Sequence, residues 1–291
     1  MLGTSPVGLT LDASGRFLFV ANSLQNTIAL FTVGADGTLT QTGRTFQTDS
    51  GPRTLALDPS GHFLLVANNV SATVSVFSVG SDGTLTQVGP SVPAGNNPAD
   101  LKITPSGGFV YVTNPNSGFV FGFSLGPDGI LTSLGAPFAA RVGASFIAID
   151  PAGKFLYTAN STDGSVSAFS IDASGILHTI VAQYPAGTGP AGIAIEPSTK
   201  FLYVANQGSN NMAGFTIAAD GELTPMATFV TGVTSPLFVV AEPSGKFIYV
   251  GNQSGNGISS FSFDATTGVL TAVSGSPFDV GKGPGAMALA H

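Results

Sequence analysis

LDPSGHFLLVAN, residues 57–68, is the stretch that decides the fold, because near-copies of it recur along the chain. Four of the copies read LDASGRFLFVAN, IDPAGKFLYTAN, IEPSTKFLYVAN and AEPSGKFIYVGN. The asparagine that ends each copy recurs every 46 residues, at Asn22, Asn68, Asn114, Asn160, Asn206 and Asn252. An unbroken period of this length indicates a repeat protein.

Each repeat has the pattern of four strands. In the second repeat the strands are TLALD (54–58), FLLVAN (63–68), TVSVFSV (73–79) and TLTQVG (84–89), of which the fourth is the most polar. Turns and polar loops separate them, such as PSGH (59–62) and GSDG (80–83). Four antiparallel strands in about 40–50 residues are typical of a β-propeller blade. No stretch has a sustained 3.6-residue apolar period, which excludes a helical solenoid.

We therefore predict an all-β protein, a single β-propeller domain over residues 1–291 made of four-stranded antiparallel blades. Six 46-residue repeats and one extra C-terminal strand are expected, and the alternative is a seven-bladed propeller whose N-terminal strands are missing from this chain. The repeats cover approximately residues 6–51, 52–97, 98–143, 144–189, 190–235 and 236–283, with a partial repeat at 284–291.

Composition excludes several classes of protein and site. Only 9% of the residues are charged, the net charge is −7, and no basic cluster offers a nucleic-acid surface. The absence of cysteine excludes disulfides and zinc–thiolate sites, and the sequence predicts neither a metal nor another cofactor. No apolar run reaches the ~20 residues of a membrane span. Few lysines among many Gly, Ser, Thr and Ala favour an exported bacterial protein whose signal was removed, and the oligomeric state stays open.

The repeated residues have a structural interpretation. The phenylalanine after each basic turn is expected to pack between neighbouring blades, and the Asp or Glu before that turn is expected to open it. We expect the repeated asparagines to cap the loop after the second strand through hydrogen bonds from their side chains to the backbone.

FLYVAN (201–206), FVYVTN (109–114) and GPAGIAIEPS (189–198) resemble the YVTN-type repeats of the bacterial lactonase-family β-propellers, along essentially the whole chain. The family includes 6-phosphogluconolactonases and is related to fungal muconate-lactonizing propellers. The resemblance implies seven blades and a channel with His, Glu and Arg. Here His62 lies in a turn, His178 in a polar outer strand, and His291 is the last residue. No catalytic residue is therefore carried over from the family.

Candidate site residues are those at which one repeat departs from the others near the start of its first strand. Arg53, Asp100 and Lys102 are charged where the other repeats are not, and Asp49 and Arg141 occupy a position that is otherwise mostly Gly. Asp100 and Lys102 are two residues apart on a strand and should face the same side. We predict catalytic roles for Asp100 and Arg53 and binding roles for Asp49, Lys102 and Arg141, at the channel mouth formed by the loops where these strands begin. Asp100 is expected to be a surface residue there.

Two functions remain open from the sequence. The first is a metal-independent hydrolase that opens a sugar lactone or related cyclic ester, with a carboxylate to activate water and cations to hold an oxyanion. The second is a non-enzymatic binding or scaffold propeller that recognises glycans or a protein partner. Its surface would be the Asn- and Ser-rich loops such as NPNSG (114–118) and NQGSNN (206–211).

Overall fold

The computed structural model describes residues 5–227, 230–281 and 283–289. Within them the regular structure is entirely β, and no helix is present that is long and apolar enough to cross a membrane. The strands form six antiparallel sheets, one for each predicted repeat. The expected all-β fold with six four-stranded blades is confirmed.

Each sheet is one blade, numbered in chain order, and its first strand is called the inner strand. Blade 1 contains β1 (Pro6–Leu11), β2 (Phe17–Asn22), β3 (Thr27–Val33) and β4 (Leu39–Gln47). Blade 2 contains β5 (Pro52–Leu57), β6 (Phe63–Asn68), β7 (Thr73–Val79), β8 (Leu85–Gln87) and β9 (Val92–Pro93). Blade 3 contains β10 (Leu101–Ile103), β11 (Phe109–Asn114), β12 (Phe119–Leu125), β13 (Leu131–Ser133) and β14 (Phe138–Ala139). Blade 4 contains β15 (Ala144–Ile149), β16 (Phe155–Asn160), β17 (Ser165–Ile171) and β18 (Leu177–Pro185). Blade 5 contains β19 (Pro190–Ile195), β20 (Phe201–Asn206), β21 (Asn211–Ile217) and β22 (Leu223–Pro225). Blade 6 contains β23 (Pro236–Ala241), β24 (Phe247–Asn252), β25 (Gly257–Phe263), β26 (Leu270–Ala272) and β27 (Phe278–Asp279).

The outermost strand is continuous in some blades and split in others. In blades 2, 3 and 6 it is broken into two short strands, and each break contains a proline: Pro90, Pro137 or Pro277. Proline lacks the N–H that the ladder needs, so pairing stops there. Blades 1 and 4 have no internal proline in this strand, which runs for 9 residues in both.

The expected extra C-terminal strand is not formed in the part of the chain that the structure describes. Residues 283–289 have no regular structure and pair with no strand. A single segment without a neighbour has no ladder in which to place its N–H and C=O groups. Ala290 and His291 lie outside the described residues.

The chain divides into two compact units, one with blades 1 to 3 and one with blades 4 to 6, and consecutive blades pack against each other within each unit. The contact between consecutive blades, called a joint, uses the glycine in the turn before the outermost strand. A Cβ built on Gly129 of blade 3 would lie 2.6 Å from the ring of Phe63 in blade 2, and one on Gly221 of blade 5 would lie 2.5 Å from Phe155 in blade 4. Each phenylalanine thus packs between blades as predicted, under a turn that only glycine fits.

Tyrosines reinforce two of these joints. The Tyr157 hydroxyl donates a hydrogen bond to the Gly221 carbonyl at 2.9 Å, and the Tyr203 hydroxyl donates to the Gly268 carbonyl at 2.5 Å. Burial raises the pKa of both tyrosines. Both hydroxyls therefore remain protonated donors across the physiological range.

The repeated acidic residues and asparagines differ in how well they match expectation. Asp58 accepts hydrogen bonds from the backbone N–H of Ser60 and Phe63, so it holds the turn as predicted. The asparagines bond to side chains rather than to the backbone of the loop after the second strand. The Asn160 amide reaches across this loop to the hydroxyls of Ser165 at 3.1 Å and Ser167 at 3.0 Å, both in the third strand. The buried Asn114 amide instead donates to the Ala94 carbonyl at 2.8 Å, ahead of its own inner strand.

We predict that Gly129→Ala is more destabilising than Gly37→Ala. Both glycines have φ near +80°, at 80° and 79°, so both substitutions strain the backbone equally. A Cβ on Gly129 would overlap the Phe63 ring, whereas a Cβ on Gly37 would meet nothing within 4 Å. Gly129→Ala should cost about 1–3 kcal/mol more in urea denaturation. Equal losses would show that the turn does not depend on the phenylalanine contact.

Candidate functional site

The start of each inner strand lies beside the turn that follows the second strand of the same blade. In blade 2, Pro52 of β5 pairs with Asn68 at the end of β6, and the Asn69 N–H donates to the Gly51 carbonyl at 2.7 Å. We call this end of the blades the entry-loop end. The candidate residues Asp49, Arg53, Asp100 and Lys102 belong to it in the first unit, on blades 2 and 3.

Arg53 is the extra residue of a β-bulge. The register between β5 and β6 shifts between Pro52 and Thr54, so Arg53 has no partner of its own on β6. A bulge changes the direction of a side chain, and bulges are frequent beside active sites. The Arg53 side chain is exposed and makes no hydrogen bond or ion pair with any described residue. Its guanidinium group is therefore available to a ligand.

Asp100 is buried, which corrects the expectation that it lies at the surface. Only 3% of the residue is exposed. Its Oδ1 accepts a hydrogen bond from the Leu101 N–H at 2.9 Å and contacts Nζ of Lys102 at 3.4 Å. The two side chains face the same side, as predicted, and form an ion pair whose lysine is 46% exposed.

The first inner-strand residues of blade 3 are bound differently from those of the other blades. The Asp100 N–H donates to the hydroxyl of Thr113 at 3.1 Å, and the Thr113 N–H donates to the Asp100 carbonyl. Side-chain groups thus replace part of the ladder, and β10 begins only at Leu101. Thr113 was missed from the sequence, although five repeats have Ala or Gly at its position and Thr113 is the exception.

Blades 2 and 3 are fixed to each other at this end. The Thr54 hydroxyl donates to the Ala99 carbonyl at 2.8 Å, so the residues after Arg53 and before Asp100 are in contact. The Asn69 amide donates to the Asn97 side chain and to the Pro98 carbonyl. These bonds hold the two inner strands in fixed positions.

The other two candidates each have a partner. Asp49 accepts a hydrogen bond from the Thr73 hydroxyl at 2.6 Å. Arg141 belongs to the second unit and makes a bidentate ion pair with Asp163, with both N–O distances 3.1 Å. Asp163 lies in the turn after the second strand of the same blade, so this pair stabilises the entry loop of blade 4.

Other acid–base groups are peripheral. His62 is exposed and contacts the Ser60 hydroxyl, His178 is exposed beside Asp172, and His291 lies outside the described residues. In the described part of the chain, no three His, Asp or Glu side chains group closely enough to hold a metal ion.

The family model for Lactonase, 7-bladed beta-propeller, matches residues 3–97 and 176–285, more than half of the chain. The chain belongs to this family. No curated protein sequence matches it significantly. The family model specifies seven blades, whereas the described residues of this lactonase-family chain form six blade sheets.

Solved structures share the β-propeller fold. A Bacteroides fragilis protein assigned provisionally as a 6-phosphogluconolactonase has a TM-score of 0.87 at 24% identity, over 98% of this chain and 87% of that one. The Pseudomonas aeruginosa periplasmic gluconolactonase has a TM-score of 0.80 at 21% identity, over 94% and 87%. A streptogramin B lyase has a TM-score of 0.66 at 16% identity, over 94% and 83%. At these identities the likeness shows the fold alone.

The inner strands of the second unit are apolar in this lactonase-family chain. The rings of Phe146 and Phe238 meet edge to face with centroids 6.3 Å apart. Gly192 of the strand between them lies so close that a Cβ would be 2.6 Å from the Val239 nitrogen. The inner strands of blades 1, 4, 5 and 6 contain no charged residue, so charge on these strands is confined to blades 2 and 3.

We predict an acid-dependent contribution from the Arg141–Asp163 pair. The hydrogen bond from Arg141 lowers the pKa of Asp163 below its usual 3.8. A depressed carboxyl pKa stabilises the fold above the unfolded-state pKa, and this contribution is lost as pH falls through the folded-state value. The difference in unfolding free energy between the native protein and Asp163→Asn should be constant above about pH 5 and shrink below about pH 4.

The control for this experiment is Asp128→Asn, a change in an exposed turn carboxylate that has no ion-pair partner among the described residues. Urea denaturation from pH 3 to pH 7 measures both variants. A difference for Asp163→Asn that stays constant down to pH 3 would contradict the assigned ion pair.

Proposed function

We propose that the chain is a metal-independent hydrolase that opens a sugar lactone or a related cyclic ester at the entry-loop end of blades 2 and 3. The observation that carries the proposal is the distribution of charge. Arg53, Asp100 and Lys102 are the charged residues at the starts of the six inner strands, and all three fall on two adjacent blades. Family membership and the gluconolactonase among the structural neighbours support this class of substrate.

Lactone opening needs a base and a group that stabilises negative charge. Water attacks the carbonyl carbon, its proton passes to a carboxylate, and the carbonyl oxygen becomes an oxyanion. The ester C–O bond then breaks, and the ring oxygen takes up the proton to give a hydroxy acid. In the proposal Asp100 receives the proton, and Arg53 and Lys102 stabilise the oxyanion.

The local contacts suit these roles. Asp100 is held by the Leu101 N–H and by Lys102, so its carboxylate has a fixed direction in which to orient water. Arg53 has no partner among the described residues, so binding a substrate oxygen would break no existing ion pair. Asp49 and Arg141 stay predictions as binding residues, and both would have to exchange a present partner for substrate.

The glycan-binding alternative has less support from the loops. Side-chain amides of these loops, which would have to bind a glycan, already donate hydrogen bonds within the protein. The Asn69 amide donates to Asn97 and Pro98, and the Gln207 amide donates to Gln253 at 2.8 Å. A loop surface whose donors are already satisfied offers fewer hydrogen bonds to a ligand.

We predict that Asp100→Asn lowers the turnover of a sugar lactone by roughly 10²–10⁴, the usual cost of losing a general base. Because Asp100 is 3% exposed and paired, the variant should also lose about 1–3 kcal/mol of stability. Lactone hydrolysis in a pH-stat and urea denaturation measure the two effects at a temperature where the variant is folded.

The control for charge is Asp220→Asn, which changes an exposed turn carboxylate of blade 5 and should leave turnover unchanged. If Asp100→Asn is destabilised but keeps its turnover, Asp100 is only the structural partner of Lys102. The binding interpretation would then be preferred.

We also predict that Arg53→Ala lowers kcat by about 10²–10³, as expected on removal of an oxyanion donor. Its stability should change by no more than about 0.5 kcal/mol, because the side chain is exposed and unpaired among the described residues. Arg53→Lys tests whether charge alone is enough, since lysine lacks the planar pair of donors. Unchanged kcat in Arg53→Ala would remove Arg53 from the site.

A further inference from the structure

The backbone at Arg53 is held from two sides by neighbouring blades. On one side the Arg53 carbonyl lies against Gly8 in β1 of blade 1, where a Cβ would come within 2.2 Å of that oxygen. On the other side the Thr54 hydroxyl donates to the Ala99 carbonyl of blade 3 at 2.8 Å. Because Arg53 has no partner of its own on β6, these contacts with blades 1 and 3 contribute to the position of its backbone.

Gly8 and Thr54 occupy equivalent positions, the second residue after the proline that begins the inner strand. In blade 5 the same position is Gly192, and a Cβ there would lie 2.7 Å from the Cα of Phe238 in blade 6. In all three blades this position contacts the next inner strand. The two glycines do so by close approach of the backbones, and the threonine does so by a hydrogen bond.

The contact of Gly8 differs from that of Gly192 in what it could affect. The strand beside Gly192 is uncharged, whereas Gly8 lies against Arg53, the residue to which the proposed function assigns oxyanion stabilisation. The Arg53 side chain makes no hydrogen bond or ion pair with any described residue, so its backbone sets the point from which the guanidinium group extends. A methyl group on Gly8 would displace the Arg53 carbonyl by about 1 Å, since ordinary contacts begin at 3.4 Å rather than 2.2 Å.

We propose that Gly8 and Thr54 are positioning residues for Arg53. Gly8 lets the inner strand of blade 1 pack directly against the Arg53 carbonyl, and the Thr54 hydroxyl binds the residue before Asp100. Together they fix the distance between the carboxylate that receives the proton and the guanidinium group that stabilises the oxyanion. The proposal rests on the proposed lactone opening, and it assigns neither residue a contact with the substrate.

Gly8→Ala is the first test, and Gly192→Ala is its matched control. Each adds one methyl group against a neighbouring inner strand, so both should lower Tm. Only Gly8→Ala should lower kcat for glucono-δ-lactone, by roughly tenfold to a hundredfold, because a displacement of about 1 Å can cost that much. Gly192→Ala should leave kcat unchanged in a pH-stat assay at a temperature where both variants are folded.

A double-mutant cycle separates positioning from a general loss of structure. Gly8→Ala should lower kcat in the native background but not in the Arg53→Ala background, because a residue that acts through Arg53 has no effect once that side chain is removed. Equal fold-changes in both backgrounds would overturn the role of Gly8. Unchanged kcat in Arg53→Ala itself would instead contradict the proposed function, and the positioning role would then be wrong as well.

Thr54→Val and Thr54→Ser test the second contact, whether or not Gly8→Ala folds. Valine keeps the shape of threonine without its hydroxyl, whereas serine keeps the hydroxyl. Thr54→Val should lower kcat by roughly tenfold, and Thr54→Ser should retain most of the native value. Native kcat in Thr54→Val, or an equal loss in both variants, would overturn the role of Thr54.

Amide NMR spectroscopy provides a readout that needs no lactone. The Arg53 amide resonance should shift in Gly8→Ala and in Thr54→Val, and it should stay near its native position in Gly192→Ala and Thr54→Ser. An Arg53 resonance that is unchanged in both Gly8→Ala and Thr54→Val would overturn the proposal, whatever the lactone assay shows.

Discussion

The contact between a turn glycine and the phenylalanine of the preceding blade is the constraint on which each described joint depends. A blade buries its faces only against its neighbours, so the repeated residues must first provide that contact. The turn approaches the ring so closely that a Cβ on Gly129 or Gly221 would overlap it. Tyr157 adds a hydrogen bond to the same turn of the next blade. The period of the sequence is therefore the period of these joints, and little variation is possible at the residues that form them.

Function must then come from positions that the joints leave free, and the inner strands provide them. They hold no ring against a glycine turn, and in blades 1, 2, 4, 5 and 6 a bulge at the start of the strand gives the residue there a separate direction. In the first unit that freedom is used for Arg53, and the neighbouring blade has Asp100 and Lys102. In the second unit the inner strands instead bring Phe146 and Phe238 together. Equivalent positions on one scaffold thus have polar or apolar chemistry, depending on the repeat.

The fold could be predicted from the sequence because every repeat provides the same evidence. The breaks in the outermost strands follow from prolines that are visible in the sequence, such as Pro90 and Pro137. The burial of Asp100 could not be predicted, because it depends on Thr113 from the next strand and on the register that brings the two together. The pairing of Arg141 with Asp163 could not be predicted either, since 22 residues separate them and only the folded blade places them in contact. The sequence therefore predicted that blades 2 and 3 carry the charged inner-strand residues but not the environment of Asp100, and the roles of these residues stay predictions.

Single departures from a repeat are an incomplete guide to packing, because a neighbouring side chain can occupy the space that a smaller residue leaves. Gly122 in blade 3 and Gly214 in blade 5 hold equivalent positions in the third strand. A Cβ on Gly122 would lie 2.8 Å from the ring of Phe138, whereas one on Gly214 would lie 2.8 Å from the sulfur of Met226. Two different side chains therefore fill the same space, since packing depends on the total volume of the residues that meet. A charge that stands alone in a repeat can be recognised residue by residue. The volume at a joint is a property of a pair, and the pairs that matter are set by the fold.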